Sequence, residues 1–346
     1  MRISVIIPCF NVERWLPRCL DSVLAAFPAD AEAIAVDDGS TDSTLALLQE
    51  RAKSDVRLHV IAASHGGVSA ARNRGLDIVR GKYVFFVDPD DSVAPDYFST
   101  LIGMLERDRA DCCICNFDEI PDGGGVGSVR EMKGDYRFRS NAEIVSRYLP
   151  RIFGYSFEAV RAWYRGRPLF SDREFAAVWR MAYRRDVIEA GHIRFAEDVT
   201  YWEDMVFNAE YLLRASSMTF VRRALYHVTV RNSSMTKTVP QDGLRYCRNK
   251  LALLRQRDAL NRKAGGALTP LYAATNVLSA LEILSYVLRH RVPFAEGRRI
   301  FLAYLAVPSV RAAVRGFPLS VRRPILALAV LVLRGLVHCG RERELL

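Results

Sequence analysis

The feature that most constrains this chain is an alternation running through its first 120 residues. Short β-branched and aromatic runs (Ile3–Ile7, Ala33–Val36, Leu58–Ala62, Tyr83–Val87 and Cys112–Phe117) alternate with stretches whose apolar residues recur at helical spacing. Those stretches are Glu13–Phe27, Ser43–Lys53, Ser69–Arg80 and Pro95–Glu106. Strands separated by helices of about 10–15 residues predict βαβ units and a mostly parallel sheet flanked by helices. In such a sheet ligands gather beyond the carboxyl ends of the strands, so the residues that follow each run are where chemistry is to be sought.

Carboxylates stand there. Val36 is followed by Asp37-Asp38-Gly39-Ser40, which can be a turn and helix cap or can accept hydrogen bonds from a base or ribose. Val87 is followed by Asp88-Pro89-Asp90-Asp91. Three carboxylates within four residues repel one another, and a divalent cation relieves that repulsion. Hard oxygen ligands suit Mg²⁺ or Mn²⁺, which also bridge substrate phosphates, and Pro89 stiffens the turn. Between the two acidic turns, Gly66-Gly67 opens a helix whose amides could approach an anion. Arg72 and Asn73 follow in its first turns, and His65 reads as a loop histidine, with a ligand role the alternative.

The segments Ser4–Asn11 (SVIIPCFN), Val36–Thr44 (VDDGSTDST), Gly66–Leu76 (GGVSAARNRGL) and Tyr83–Asp91 (YVFFVDPDD) together resemble glycosyltransferase family 2, inverting enzymes with the nucleotide-sugar-binding GT-A fold. The four occur in the family's order and spacing over about residues 1–120. A further likeness lies in Val178–Ile188, Arg194-Phe195 and Tyr201–Phe207 (YWEDMVF), similar to the family's acceptor-side element. The resemblance implies that Pro8 and Phe10 line the nucleobase pocket and that Asp38 contacts the uracil or ribose side. It places Arg72 and Asn73 near the nucleotide. Asp88 and Asp90 match the D-x-D motif, with Asp90 the direct ligand of a divalent cation (Mn²⁺ or Mg²⁺) and Asp91 a supporting residue. Glu203-Asp204 matches the pair holding the catalytic base; Asp204 is the choice and Glu203 the runner-up. The expected activity is a hexosyltransferase-type transfer from a nucleotide-sugar, UDP-linked, to a saccharide or lipid-linked saccharide acceptor during cell-surface polysaccharide synthesis. A nucleotidyltransferase would need a glycine- and lysine-rich phosphate loop near the first strand, and Pro8–Val12 has none. A non-catalytic scaffold would not need Asp88, Asp90, Glu203 and Asp204 intact.

The 346 residues suggest two domains: a catalytic one over 1–240, with 1–120 for the nucleotide-sugar and 121–240 for the acceptor, and a basic helical region over 241–346. Phe175–Ala190 reads as a helix, Ser217–Thr229 as two short strands. Leu244–Lys263, Pro270–Arg289, Pro293–Leu305 and Arg322–His338 read as helices. The net charge of +10 is uneven. Basic residues number 12 against 16 acidic in 1–110, 19 against 17 in 111–240, and 18 against 6 in 241–346. That distribution argues against nucleic acid as the partner of the N-terminal half. For the last third, two readings stay open: helices lying on an anionic membrane surface, or a packed subdomain with solvated arginines. Seven cysteines, an odd number without a C-x-x-C pair, read as reduced core thiols in a cytoplasmic protein, which is peripheral to the inner membrane face if the first reading of the basic region holds. MRISVIIPCF does not read as a signal peptide. The longest apolar run, Ile325–Leu333, is nine residues against the roughly 20 a spanning helix needs. Trp179 and Trp202 flank the acceptor-side element as core residues or acceptor contacts.

Overall fold

The computed structural model describes residues 2–125, 127–132, 134, 136–169, 173–231 and 241–343. The chain divides into two compact units, one of residues 1–148 and 174–234, the other of 149–173 and 235–346.

The first unit is built on one mixed sheet. Its strands are β1 (Ile3–Cys9), β2 (Ala31–Asp37), β3 (Leu58–Ala62), β4 (Tyr83–Phe86), β5 (Ser92–Val93), β6 (Cys112–Pro121), β7 (Ser128–Arg130), β8 (Met181–Arg184) and β9 (Met218–Val230), in the order β3-β2-β1-β4-β8-β6-β9-β5, with β7 on β6. Helices α1 (Leu16–Ala25), α2 (Thr44–Ser54), α3 (Val68–Leu76), α4 (Tyr97–Asp108), α5 (Arg185–Ala190) and α6 (Glu203–Leu212) complete it. Strands β3, β2, β1 and β4 are parallel, the half that the alternation predicts. All seven residues of β1 and of β2 are buried, as a parallel sheet covered on both faces requires.

Beyond β4 the pairing is mixed, with β9 parallel to β6. β8 runs antiparallel to both β4 and β6, and the short β5 and β7 also pair antiparallel, so a few antiparallel strands join the mostly parallel sheet that the alternation predicts. β8 also corrects the helix expected over Phe175–Ala190: a single turn of 3₁₀ helix (Val178–Arg180) leads into the strand, and only Arg185–Ala190 is α-helical. Pairing on both edges with β4 and β6 overrides the helical spacing. The two strands expected over Ser217–Thr229 are one. Cys115 pairs with Val221 and Asn116 with Ala224, so Arg222-Arg223 bulge out of a continuous β9. This bulge lets β9 reach the acidic turn after β4, where β5 pairs with Tyr226 and His227.

One buried charge stabilises the sheet away from any ligand. Glu32 on β2 takes Ser4 Oγ at 2.5 Å and Arg80 Nη2 at 2.5 Å. Gly81, just before β4, cannot carry a side chain, because a Cβ there would lie 2.4 Å from the Ile3 carbonyl carbon. The cysteines Cys9, Cys19, Cys112, Cys113 and Cys115 of this unit are buried and unbridged, and burial pushes the Cys115 thiol up to about 12.

The second unit is helical: a short helix Phe157–Tyr164, then α7 (Gly243–Lys263), α8 (Thr269–Leu288), α9 (Phe294–Ala306), α10 (Pro308–Gly316) and α11 (Pro324–Arg343). α10, not foreseen from the sequence, starts at Pro308, where a fixed φ and a missing N–H cost nothing. Tyr272, Val277, Ile283, Val287 and Tyr304 form its core with Val330 and Leu333. α8 is long and apolar enough to cross a membrane by length and composition, with mean hydropathy 1.4. Half of that window is buried inside the protein, as in a core helix.

Candidate active site

The carboxyl ends of β2, β4 and β9 and the N-termini of α3 and α6 bring the acidic motifs of the first unit together. Asp38, just past β2, is 2% exposed. Its Oδ1 accepts the Gly66 amide at 2.9 Å and its Oδ2 the Gly67 amide at 2.7 Å. Arg74 Nη1 lies 3.1 Å from Oδ1 and His65 Nδ1 2.9 Å from Oδ2. The amides expected to meet a ligand anion are therefore held by the protein's own carboxylate. Gly67 makes this turn at φ 89°, a left-handed conformation that favours glycine. The His65 ring sits 4.4 Å from that of Phe10, which is 42% exposed. This pair forms an aromatic face above Asp38. Pro8 lies within β1, paired with Val36.

Arg72 is the hub. It is 3% exposed, on the first turns of α3. Its Nη2 donates to Asp88 Oδ1 at 2.9 Å, and its Nη1 to Glu203 Oε1 at 3.0 Å and to Asp204 Oδ1 at 2.8 Å. Phe195 underlies the guanidinium, 5.1 Å from its ring centroid. Burial alone would pull the arginine's pKa down, but the three carboxylates reverse this and hold it above its usual range. One cation facing three carboxylates leaves a local excess of negative charge. Asp204 shows the result: burial, then Glu203 and Asp88, push its pKa up to about 7 against the pull of Arg72. Its second oxygen accepts the Val178 amide at 3.1 Å, which fixes the carboxyl in place. Glu203 and Asp204 begin α6, where the helix dipole favours acids. Trp202 enters that helix at φ 71° and is 42% exposed. A tryptophan in the left-handed region is a strained backbone position beside the candidate base.

Asn73 is not part of this cluster. Its amide donates to the Phe195 carbonyl at 3.0 Å and accepts the Phe195 N–H at 2.8 Å, so it ties α3 to the extended chain before α6. Trp179 stacks on Tyr226 at 4.4 Å and is a core residue.

The turn after β4 is organised by β9. Asp91 is buried, accepting the Thr229 amide at 2.7 Å and the Tyr226 hydroxyl at 3.0 Å. The Asp88 amide donates to that same hydroxyl. Burial, then Asp90 and Asp88, raise the Asp91 carboxyl well above the carboxylate range. Burial and Asp88 also raise Asp90, against Arg231 and Arg18. Arg231 Nη2 lies 2.6 Å from Asp90 Oδ2, and Arg18 donates to the Asp90 carbonyl at 2.8 Å. Arg231, Arg18, Tyr226 and Thr229 were not singled out in the sequence. Their one signal is position, since Thr229 and Arg231 stand at the carboxyl end of β9.

The donor set after β4 fits a divalent cation. Asp88 and Asp90 supply hard carboxylate oxygens two residues apart, and each is bonded to a guanidinium through one oxygen. Among the described residues no three His, Cys, Asp or Glu side chains converge as a ready-made metal cage. One or two carboxylates, with substrate phosphates and retained waters completing the shell, are what a Mg²⁺-type ion takes.

Residues 4–163 match the family described as Glycosyl transferase family 2. The uncharacterized glycosyltransferase EpsJ of Bacillus subtilis (strain 168) is 30% identical over 68% of this chain, and the match spans 63% of EpsJ, just under two thirds of its length. The uncharacterized glycosyltransferase YibD of Escherichia coli (strain K12) is 30% identical over 75% of this chain and 71% of its own. Among solved structures, S. aureus TarS 1–349 in complex with UDP superposes with a TM-score of 0.63 at 19% identity, covering 99% of this chain and 92% of TarS. That likeness shows the fold, an α/β sheet of GT-A type with a helical C-terminal region.

Proposed function

On the premise that the chain belongs to glycosyltransferase family 2, we propose that it is an inverting enzyme moving a sugar from a UDP-sugar to a saccharide or lipid-linked saccharide in cell-surface polysaccharide synthesis. The observation that carries this reading is the sharing of one buried guanidinium, Arg72, by Asp88 and by Asp204. It couples a donor-side carboxylate to a candidate base tuned close to neutral pH. The UDP complex of TarS and the aromatic face of Phe10 and His65 beside Asp38 support a nucleotide donor; the saccharide acceptor follows from the family resemblance.

The transfer is a single displacement. The acceptor hydroxyl oxygen bonds to the anomeric carbon as the bond from that carbon to the diphosphate oxygen breaks. The hydroxyl proton passes to the Asp204 carboxylate, and the electron pair of the broken bond leaves on UDP. A base with pKa near the working pH is ionised enough to accept the proton and basic enough to hold it. Arg72 keeps Asp204 aligned, and the Val178 amide fixes its rotamer. Asp88 and Asp90 would hold the divalent cation, Mn²⁺ or Mg²⁺, whose chemistry is to neutralise charge on the departing diphosphate. Exposed Trp202, at the start of α6, offers a face for the acceptor sugar.

Thermal shift with a panel of nucleoside diphosphates, with and without Mn²⁺, tests the donor. UDP with Mn²⁺ should raise the melting temperature most, and Asp90→Asn should remove the Mn²⁺-dependent part. NMR of the product from an α-linked UDP-sugar should show a β linkage. Retention of configuration, or no response to any nucleotide, overturns the proposal.

A further inference from the structure

The second unit carries a surface that the transfer reaction does not use. α8 and α11, with Trp163 of the short helix Phe157–Tyr164, border an open groove of about 670 Å³. Its walls are almost wholly apolar: Trp163, Leu281, Leu284, Leu288, Ile325 and Ala329. The helix α11 is apolar on both sides. Val330, Leu333 and Val337 are buried in the unit's core, whereas Ile325 is 84% exposed and Leu328 64% exposed. Leu288, at the end of α8, is 65% exposed. A helix greasy all round belongs in a core or in lipid, and here the unit covers only one side.

Charge identifies what covers the other side. Arg289, Arg322 and Arg323 stand at the groove's rim. Arg323 stacks on Trp163 with its guanidinium 4.2 Å from the ring. A polar depression adjoining the groove shares Arg322 and adds Arg161 and Arg165. Among the described residues none of these five arginines pairs with a carboxylate. Four acids of the unit are engaged elsewhere: Asp242 caps α7, Asp258 bonds Tyr272 and Ser309, Glu282 pairs with Lys250, and Glu296 pairs with Arg248. An apolar trough with unpaired guanidiniums along its edge complements acyl chains beneath anionic headgroups. A second copy of the chain fits less well, because a symmetric pairing would bring like-charged rims together.

We propose that the groove between α8 and α11, with its rim of Arg289, Arg322 and Arg323, seats the second unit on an anionic lipid leaflet. Ile325, Leu328 and Leu288 enter the acyl region, and the arginines meet lipid phosphates. The reading is independent of the catalytic one. It also separates the arginines of the basic region, because Arg298 and Arg299 on α9 lie outside the groove.

Co-sedimentation of the full-length chain with phosphatidylcholine vesicles, pure or containing 30% phosphatidylglycerol, tests it. Binding should be at least tenfold stronger to the anionic vesicles and should weaken with salt. The double variant R322E/R323E should lose at least tenfold, on the order of fivefold or more per arginine. R298E/R299E, with the same change of charge, should lose under threefold. Brominated acyl chains should quench tryptophan fluorescence in the parent protein and less in Trp163→Phe. Circular dichroism confirms that each variant is folded. Equal losses in the two double variants, equal binding to both vesicle types, or no binding overturns the proposal. So does a dimer in solution, without vesicles, that Ile325→Ser with Leu328→Ser dissociates, since a second copy then covers the groove.

Discussion

Arg72 and Arg322 are the same side chain put to opposite uses. Arg72 is buried and meets three carboxylates; Arg322 is exposed, and among the described residues it meets none. The first cannot leave its partners without stranding charge in a dry site. The second is free to take a partner from outside. The contrast extends to the units around them. In the first, acids outnumber the arginines within reach at the candidate site, and burial with neighbouring acids pushes the Asp90, Asp91 and Asp204 carboxyls up. In the second, Asp242, Asp258, Glu282 and Glu296 are spent on internal bonds, and among the described residues Arg289, Arg322 and Arg323 meet no carboxylate. A net charge on the chain says nothing of this, since a charge acts through its partners and its dielectric surroundings.

The largest expected effect comes from removing the buried hub. Arg72→Met leaves Asp88, Glu203 and Asp204 facing one another, and should cost about 3–5 kcal/mol by urea denaturation, the usual penalty for breaking a buried ion cluster. Transfer should fall below detection. Arg72→Lys should recover most of the stability but little of the activity, because an ammonium cannot span three carboxylates as a planar fork does. A stability loss under 1 kcal/mol in the methionine variant would break the contrast with Arg322.

Asp204→Asn removes the base while keeping the shape. The transfer rate should fall by about 10²–10⁴ with UDP affinity unchanged, as isothermal titration would show. In the parent enzyme kcat/KM should rise about tenfold per pH unit below 7 and level off above it, because only the ionised carboxylate accepts the proton. The same raised pKa has a stability counterpart. The folded chain holds that proton more tightly than the unfolded chain, so this group's contribution to stability falls as pH rises from about 4 to about 7. Asp204→Asn should flatten both profiles.

An intermediate case sharpens the comparison. Arg80 is largely exposed, yet its partner Glu32 is 1% exposed. Burial would raise the Glu32 carboxyl, but Ser4 and Arg80 outweigh it and hold the carboxyl below its usual value. Arg80→Ala should cost about 1–3 kcal/mol by thermal melting, the cost of an under-satisfied buried polar group. The pair's stabilisation is present above the unfolded carboxylate pKa and is lost as pH falls through the lowered one. Smallest of all, R322E/R323E should change stability by less than about 0.5 kcal/mol while abolishing most vesicle binding. A surface arginine whose loss destabilised the fold would be structural after all.

The alternation of apolar runs and helical spacing was enough to predict β1 to β4 and α1 to α4 to within a few residues, because a strand covered on both faces is a local, continuous signal. The acidic turns were legible for the same reason: Asp38 and Asp88–Asp91 follow strands directly. Glu203 and Asp204 were legible only through the family resemblance, since two acids at a helix start are otherwise ordinary. The strand β8 was hidden, because its residues carry helical spacing and only pairing with β4 and β6 makes them extended. The tie that Asn73 makes to Phe195, and the choice for Trp179 between core and acceptor contact, could be read only from the packing, since each partner is distant in the chain.

By itself, then, the sequence determined which strands and helices the N-terminal half forms and which carboxylates stand at strand ends, since propensity, periodicity and turn chemistry act over a few residues. Only the tertiary structure decided which charges meet. Arg72 lies 132 positions before Asp204 and Arg231 follows Asp90 by 141, and nothing local specifies either pair. Only the tertiary structure, too, divided the apolar residues of α8 and α11 into those that fill a core, such as Val277, Ile283 and Leu333, and those that line an open groove, such as Leu284 and Ile325. Both decisions depend on which surfaces the sheet and the helices bury against each other, and the free energy of a charge or a leucine is set by that burial.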